Sequence, residues 1–278
     1  MTNPQANPSR VAFIGGGNMA RSLIGGLVQQ GRPAATIHVS DPVPATRDAL
    51  ARDFGVQVHA EGAEAVAGTD TWVFAVKPQV MRDVCASLAA QAQAARPVMV
   101  SIAAGITSAQ LDRWLGGGLP VVRTMPNTPA LLGAGVTGLF ANAAVDDAGR
   151  ARAEALLSAA GRTVWIDDED LMDAVTAVSG SGPAYVFLLA EAMQAAGEAE
   201  GLAPEAARTL TLQTLLGASR MLVEGDADAR ELRRRVTSPN GTTHAAIQAF
   251  EAGGFRELVR RAVHAARERG RELAAAND

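Results

Sequence analysis

Apolar positions recur along this chain in two rhythms. Over about the first 165 residues, short unbroken apolar runs alternate with stretches of helical spacing. The runs fall at residues 10–14, 36–40, 55–59, 71–76, 97–102, 119–124, 136–141 and 162–166. Most are rich in Val, Ile, Phe or Trp, and Gly, Pro or Ser punctuate the chain around them, the pattern of strands buried on both faces. After the first run, Leu23, Leu27 and Val28 keep helical spacing until Gly31 ends the segment. Strands alternating with helices predict an α/β unit over residues 1–166, built on a mostly parallel sheet with helices on both faces.

Beyond residue 167 the spacing is helical throughout. Residues 171–178, 183–201, 204–225, 229–236, 242–252 and 255–276 read as helices, with Pro183 and Pro204 in first turns where proline is tolerated. This predicts a second, all-helical domain over 167–278. Its segment 209–223 carries Leu210, Leu212, Leu215, Leu216, Met221, Leu222 and Val223, apolar on nearly every side. Such a helix has to be buried, and a domain of about 110 residues has little interior to bury it in. Part of it is therefore expected to pack on a second subunit. Residues 256–271 show the opposite pattern, a solvated face of Arg and Glu with Glu268 and Glu272 in helical reach of arginines.

Composition narrows the function classes. Hydrophobic residues make up 48% and charged residues 19% of the 278, a globular composition. Aromatics are only 4%, so the core is expected to consist of closely packed Ala, Val and Leu. A net charge of −4 gives no general pull toward nucleic acid or anionic membrane. The single cysteine, Cys85, excludes an internal disulfide or a multi-cysteine metal cage, and it falls in an apolar helical stretch suited to packing. No apolar run approaches the roughly 18 residues of a membrane span, and residues 1–9 are polar with no secretory pattern. A cytoplasmic protein is expected. Lys77 is the only lysine among 25 basic residues.

The residues that carry chemistry cluster at strand ends. Gly15-Gly16-Gly17-Asn18-Met19-Ala20 follows the first strand and opens a helix, the context of a dinucleotide fingerprint with alanine in the third glycine position. Gly15 suits the tight turn, Gly17 lets backbone approach a pyrophosphate, and Ala20 permits close packing of helix on strand. The second strand ends at Ser40-Asp41. An acidic residue there accepts the ribose hydroxyls of NAD and repels the extra phosphate of NADP, whereas Ser40 and Arg47 suit that phosphate. Asp41 is equally placed to shape a turn before Pro42. Both coenzymes stay open. Ala75-Val76-Lys77-Pro78 closes the next strong strand on the same edge, with Lys77 a cation for cofactor phosphates or ribose, or a solvated lysine.

Ser101-Ile102-Ala103-Ala104-Gly105 offers small residues for a nicotinamide face. In Met125-Pro126-Asn127-Thr128-Pro129, two prolines hold Asn127 so that its amide can bond cofactor or substrate, unless the loop is only structural. In the helical half, Ser179-Gly180-Ser181-Gly182-Pro183 is a glycine-rich helix start. Thr237-Ser238-Pro239-Asn240-Gly241-Thr242-Thr243-His244 feeds another helix start, where hydroxyls and unpaired backbone N–H groups suit a carboxylate. A capped helix start is the bland alternative. The four histidines (His38, His59, His244, His264) show no metal spacing, so no metal is expected. Arg233-Arg234-Arg235 reads as a solvated helix face.

These segments resemble one family, the pyrroline-5-carboxylate reductases. The matching runs are Phe13–Ala20, Ala75–Pro78, Met125–Pro129, Val178–Tyr185 and Leu232–Phe255, in order over nearly the whole chain. The resemblance implies an N-terminal Rossmann-type dinucleotide-binding domain and a C-terminal all-α dimerisation domain. It further implies an active site between one subunit's nucleotide and its partner's helices. The implied cofactor is NADP or NAD in reduced form, the substrate 1-pyrroline-5-carboxylate and the product proline. Gly15, Gly17, Asn18, Met19, Ala20, Ser40, Asp41, Arg47, Ala75, Val76, Lys77, Pro78 and Asn127 would form the cofactor site. Ser238, Gly241, Thr242 and Thr243 would hold the substrate, with Ser238 and Thr243 catalytic and the Thr243 hydroxyl at the ring nitrogen. The family's Ser-Pro-Gly-Gly is here Ser238-Pro239-Asn240-Gly241, so the turn must accept asparagine. Two other readings fit the pattern: a related two-domain dehydrogenase or imine reductase on another small carboxylate, and a nucleotide-binding regulator without catalysis.

Overall fold

The first strand, β1 (Val11–Ile14), is buried at all four positions, so its side chains alternate between two apolar layers. Val11 and Phe13 join Leu23, Leu27, Val39, Leu50, Val73 and Val100 on one face of the sheet. Ala12 and Ile14 join Trp72, Phe74, Met81, Cys85, Leu88 and Leu111 on the other. A strand that must satisfy both layers has no polar position, which explains the unbroken run. In this computed structural model, residues 9–277 are described, and the expectation for the polar leader falls almost wholly outside them.

Seven strands follow: β2 (Ile37–Ser40), β3 (Gln57–His59), β4 (Thr71–Phe74), β5 (Val98–Ser101), β6 (Val121–Met125), β7 (Gly135–Ala141) and β8 (Gly161–Trp165). They form one sheet of order β3-β2-β1-β4-β5-β6-β7-β8. Every pair is parallel except β6 with β7. The order reverses between β1, which is followed by β2, and β4, and there the carboxyl ends of neighbouring strands open a crevice. The helices of this part are α1 (Asn18–Gln29), α2 (Pro44–Phe54), α3 (Gly62–Ala65), α4 (Pro78–Ala95), α5 (Ser108–Trp114), α6 (Asp147–Leu157) and α7 (Met172–Val175). A π turn, Thr176–Gly180, continues α7. All eight expected strands are present, each within two residues of its expected ends.

The remaining helices are α8 (Gly182–Ala199), α9 (Pro204–Glu224), α10 (Ala229–Arg235), α11 (Thr242–Ala252) and α12 (Phe255–Ala276). By internal packing the chain forms two compact units. One runs through Ser181 and also takes in the residues from Ala266 onward; the other is Gly182–Ala265. This division differs from 166/167, and buried charge is the physical reason. Arg123 on β6 pairs with Glu169 at 3.3 Å and with Asp173 at 3.2 Å. Glu169 in turn accepts from the backbone N–H and hydroxyl of Ser108 at the start of α5. The acidic segment before the π turn is thereby fastened to the sheet. Near the C-terminus, Gln110 donates to the carbonyl of Ala274 and Asn277 to that of Gly105.

In the second unit, α9 buries only Ala207 and Thr211. Leu210 is 57% exposed and Val223 66%, and on α8 Phe187 is 67% exposed. Within one chain these helices therefore leave a large apolar surface uncovered. Among the described residues, no helix is long and apolar enough to cross a membrane.

The Arg123 network yields a stability prediction. Arg123→Met leaves two facing carboxylates without their cation, and loss of one partner of a buried pair costs about 3–5 kcal/mol. The urea midpoint should fall accordingly; an unchanged midpoint would show that water supports these carboxylates.

Candidate active site

At the crevice, the turn after β1 is set by glycine geometry. Gly15 has φ +102°, and its N–H donates to the carbonyl of Ser40 at 2.8 Å. A Cβ there would lie 2.7 Å from the carbonyl oxygen of Ala75 and 3.1 Å from Val76 Cγ1. Gly17 caps α1, brings no side-chain hydrogen bond to the helix start, and has open space where a Cβ would stand. The N–H groups of the first turn and the positive end of the helix dipole are left for an anion. Gly17 and Asn18 are exposed, Met19 is half-buried, and Ala20 is packed in the core. The residues present thus fit a dinucleotide pyrophosphate: one glycine where backbone meets backbone, another where backbone faces open space.

Asp41 does two jobs here. One carboxylate oxygen accepts from the N–H of Gly16, the other from the N–H of Val43, both at 2.9 Å. Its main-chain oxygen accepts from Arg47 at 2.7 Å. The turn role and the place beside the glycine loop therefore coexist, and Arg47 is held next to both. Ser40 is buried; its carbonyl, rather than its hydroxyl, serves the loop. On the other side of the crevice Lys77 is exposed and caps α4, with Pro78 in the helix's first turn.

Asn127 is 9% exposed, and its amide works inside the protein. Its Nδ2 donates to the carbonyl of Ser179 at 3.1 Å, and its Oδ1 accepts from the N–H of Val136 at 3.0 Å. The rigid loop between two prolines therefore braces β7 and the π turn. Sequence spacing did not reveal this link, because Asn127 and Ser179 lie 52 residues apart. A Cβ at Gly180 would sit 2.5 Å from the Met125 methyl carbon, so the glycine-rich start packs tightly on the end of β6.

In the second unit the hydroxyl segment forms a turn. The N–H of Gly241 donates to the carbonyl of Ser238 at 3.1 Å, with Pro239 and Asn240 as the central residues. Asn240 has φ +58°, so proline is followed by a left-handed residue, the type II arrangement. A Cβ at position 241 would stand 2.5 Å from the Ser238 hydroxyl and displace it, so glycine leaves that hydroxyl in place. Gly241 also caps α11 and supplies no side-chain hydrogen bond to it. The start of α11 presents backbone N–H groups beside the Ser238, Thr242 and Thr243 side chains.

Several other candidates are structural. Thr237 donates to the carbonyl of Arg233, closing α10. Arg234 and Arg235 bond Glu231 and hold its carboxyl down at about 2, while Arg233 reaches Glu251 of α11 at 3.5 Å, so this arginine run is a solvated, ion-paired face. Cys85 is fully buried, and burial pushes its thiol up to about 12, which leaves no thiolate for chemistry. Among the described residues no three His, Cys, Asp or Glu side chains converge as metal ligands.

Fold and sites together define the class of two-unit, dinucleotide-binding oxidoreductases. A family model described as pyrroline-5-carboxylate reductase dimerisation matches residues 169–273, and one described as NADP oxidoreductase, coenzyme F420-dependent, matches 10–105. The chain is 57% identical over 265 residues to pyrroline-5-carboxylate reductase of Pseudomonas aeruginosa, covering 95% of this chain and 97% of that one. It is similar in structure to a pyrroline-5-carboxylate reductase from Coxiella burnetii, with TM-score 0.93, 41% identity and coverage of 96% and 99% of the two chains. It is also similar to the Plasmodium falciparum pyrroline carboxylate reductase solved with NADP bound, with TM-score 0.84, 27% identity and coverage of 96% and 98%. The chain belongs to the pyrroline-5-carboxylate reductase family.

The two glycines of the first turn predict opposite outcomes. Gly15→Ala adds strain at positive φ and a backbone clash, and should lower the melting temperature by several degrees, a cost of about 1–3 kcal/mol. Gly17→Ala meets nothing and should melt with the wild type in the same calorimetric scan.

Proposed function

We propose that this protein reduces 1-pyrroline-5-carboxylate to L-proline with NADPH or NADH, the final step of proline biosynthesis. The observation that carries the substrate assignment is the Ser238–Gly241 turn at the uncapped start of α11, in a chain of this family. Main-chain N–H groups and hydroxyls suit a carboxylate and a ring nitrogen, and they need no titratable partner.

Gly15, Gly17, Asn18, Met19 and Ala20 receive the dinucleotide at the start of α1. Ser40, Asp41 and Arg47 take its adenosine end, and Ala75, Val76, Lys77 and Pro78 form the opposite wall. Asn127 acts by holding the β6 loop, and has a second amide hydrogen free to donate. The reduced nicotinamide, when bound, supplies the hydride that C5 of the cyclic imine accepts. The imine is basic enough to carry its own proton, so the protein's share is orientation and electrostatic support. Ser238, Gly241, Thr242 and Thr243 grip the ring acid, and the Thr243 hydroxyl sits at its nitrogen, with Ser238 the second catalytic hydroxyl.

Residues 1–166 then serve the nucleotide, and 167–278 serve substrate binding and self-association through the exposed apolar faces of α8 and α9. We place the enzyme in the cytoplasm as a homodimer or larger oligomer that binds no nucleic acid. In support, its one thiol is buried and its net charge is −4.

Following loss of NADPH absorbance with the pyrroline tests the activity directly; absence of turnover with both coenzymes would refute it. Thr243→Ala should lower kcat about 10- to 100-fold with NADPH affinity unchanged, whereas Gly17→Ala should weaken NADPH and leave the pyrroline KM alone. Asp41→Ser should raise the NADPH/NADH ratio of kcat/KM about tenfold, the equivalent of removing ~1.4 kcal/mol of repulsion. A constant ratio would assign selectivity to Arg47 or another group.

A further inference from the structure

The substrate turn contains a residue in a costly conformation, and one side chain is placed to hold it there. Among the described residues only Arg96 and Asn240 are non-glycine with positive φ. In a four-residue turn with proline second, the third residue decides the type. Positive φ gives type II, which favours glycine, and negative φ gives type I, the commoner form. The two forms differ by a flip of the central peptide, here the bond between Pro239 and Asn240. The N–H of that same peptide donates to Nδ1 of His244 at 3.2 Å. His244 is the third residue of α11 and reaches back over the helix start to the turn.

We propose that His244 is a positioning residue for the reduction: its ring nitrogen locks the Pro239–Asn240 peptide in the orientation that presents Ser238, Gly241 and the start of α11 to the substrate carboxylate. The inference rests on the assignment of this turn to the substrate. To accept from Asn240, Nδ1 must be free of hydrogen, so the ring carries its proton on Nε2. Without this acceptor, Asn240 relaxes toward negative φ and the central peptide turns over. The carbonyl of Pro239 and the N–H of Asn240 then exchange directions beside the carboxylate site. His244 touches neither the reacting carbon nor the hydride donor, so its loss is read in substrate affinity rather than in the chemical step.

His244→Ala should raise KM for the pyrroline about five- to tenfold, the scale of one lost hydrogen bond with its orienting effect. Its kcat and its KM for NADPH should stay within about twofold of wild type. Asn carries an acceptor oxygen at the place of Nδ1, so His244→Asn should restore the pyrroline KM. In an Asn240→Gly background, glycine takes up positive φ without help, and His244→Ala should then cost less than about twofold, a clear departure from additivity. A His244→Ala variant with wild-type KM overturns the proposal, as does a His244→Asn variant as impaired as His244→Ala, and as does full additivity of the two positions. A wild-type enzyme that fails to turn over the pyrroline refutes the substrate assignment instead, and is recognised before any variant is measured.

Discussion

At the nucleotide end, the structure depends on one steric fact: position 15 has no room for a side chain. The turn after β1 presses against the carbonyl of Ala75 so closely that a Cβ would overlap it. That contact brings the ends of β1 and β4 together at the place where the strand order reverses, and so defines the crevice. It also aims α1, whose first turn then projects over the carboxyl edge of the sheet with no side chain satisfying it. Asp41 is recruited to the same contact, since its carboxylate accepts from Gly16 one residue further on. Sheet order, glycine turn and acidic residue are therefore one constraint expressed at three places in the chain.

The helical unit is limited differently. The helices α8, α10, α11 and α12 bury no residue within a single chain, and α9 buries two. A unit of this size without an interior lacks the apolar burial that offsets chain entropy. Its apolar residues need a second surface, and the match of residues 169–273 to a dimerisation family agrees with that need. Self-association is thus a condition of stability for these helices.

Legibility in the sequence follows from how local each feature is. The central strands β1, β4 and β5 were readable because burial on both faces makes them mostly apolar, and the helices of the second half were readable from their spacing, with Gly or Pro at most of the joints. The glycine turn was readable for the same reason, a short pattern between a strand and a helix. Asn127 was singled out correctly as a rigidly held amide, yet its partners, Ser179 and Val136, are set by tertiary structure and left no local trace. The π turn is similar, because it depends on how residues before Gly182 pack against Met125. The division between units moved for an electrostatic reason: Glu169 and Asp173 look like an ordinary solvated helix start until Arg123, more than 40 residues earlier, is seen beneath them.

The lack of an acid–base pair, the feature of this sequence that least resembles an enzyme, fits the chemistry it serves. A protonated cyclic imine is already electrophilic, so a strong catalytic acid would have nothing left to donate to. What such a reaction needs is a fixed distance and angle between two bound molecules, and groups that do not titrate can supply it. Such groups are useful only while their backbone is held still. The two turns each have a positive φ: at Gly15, where glycine adopts it without strain and the Ala75 contact leaves no room for a side chain, and at Asn240, a non-glycine residue. In both places the turn's N–H is bonded: that of Gly15 donates to the carbonyl of Ser40, and that of Asn240 to the ring of His244.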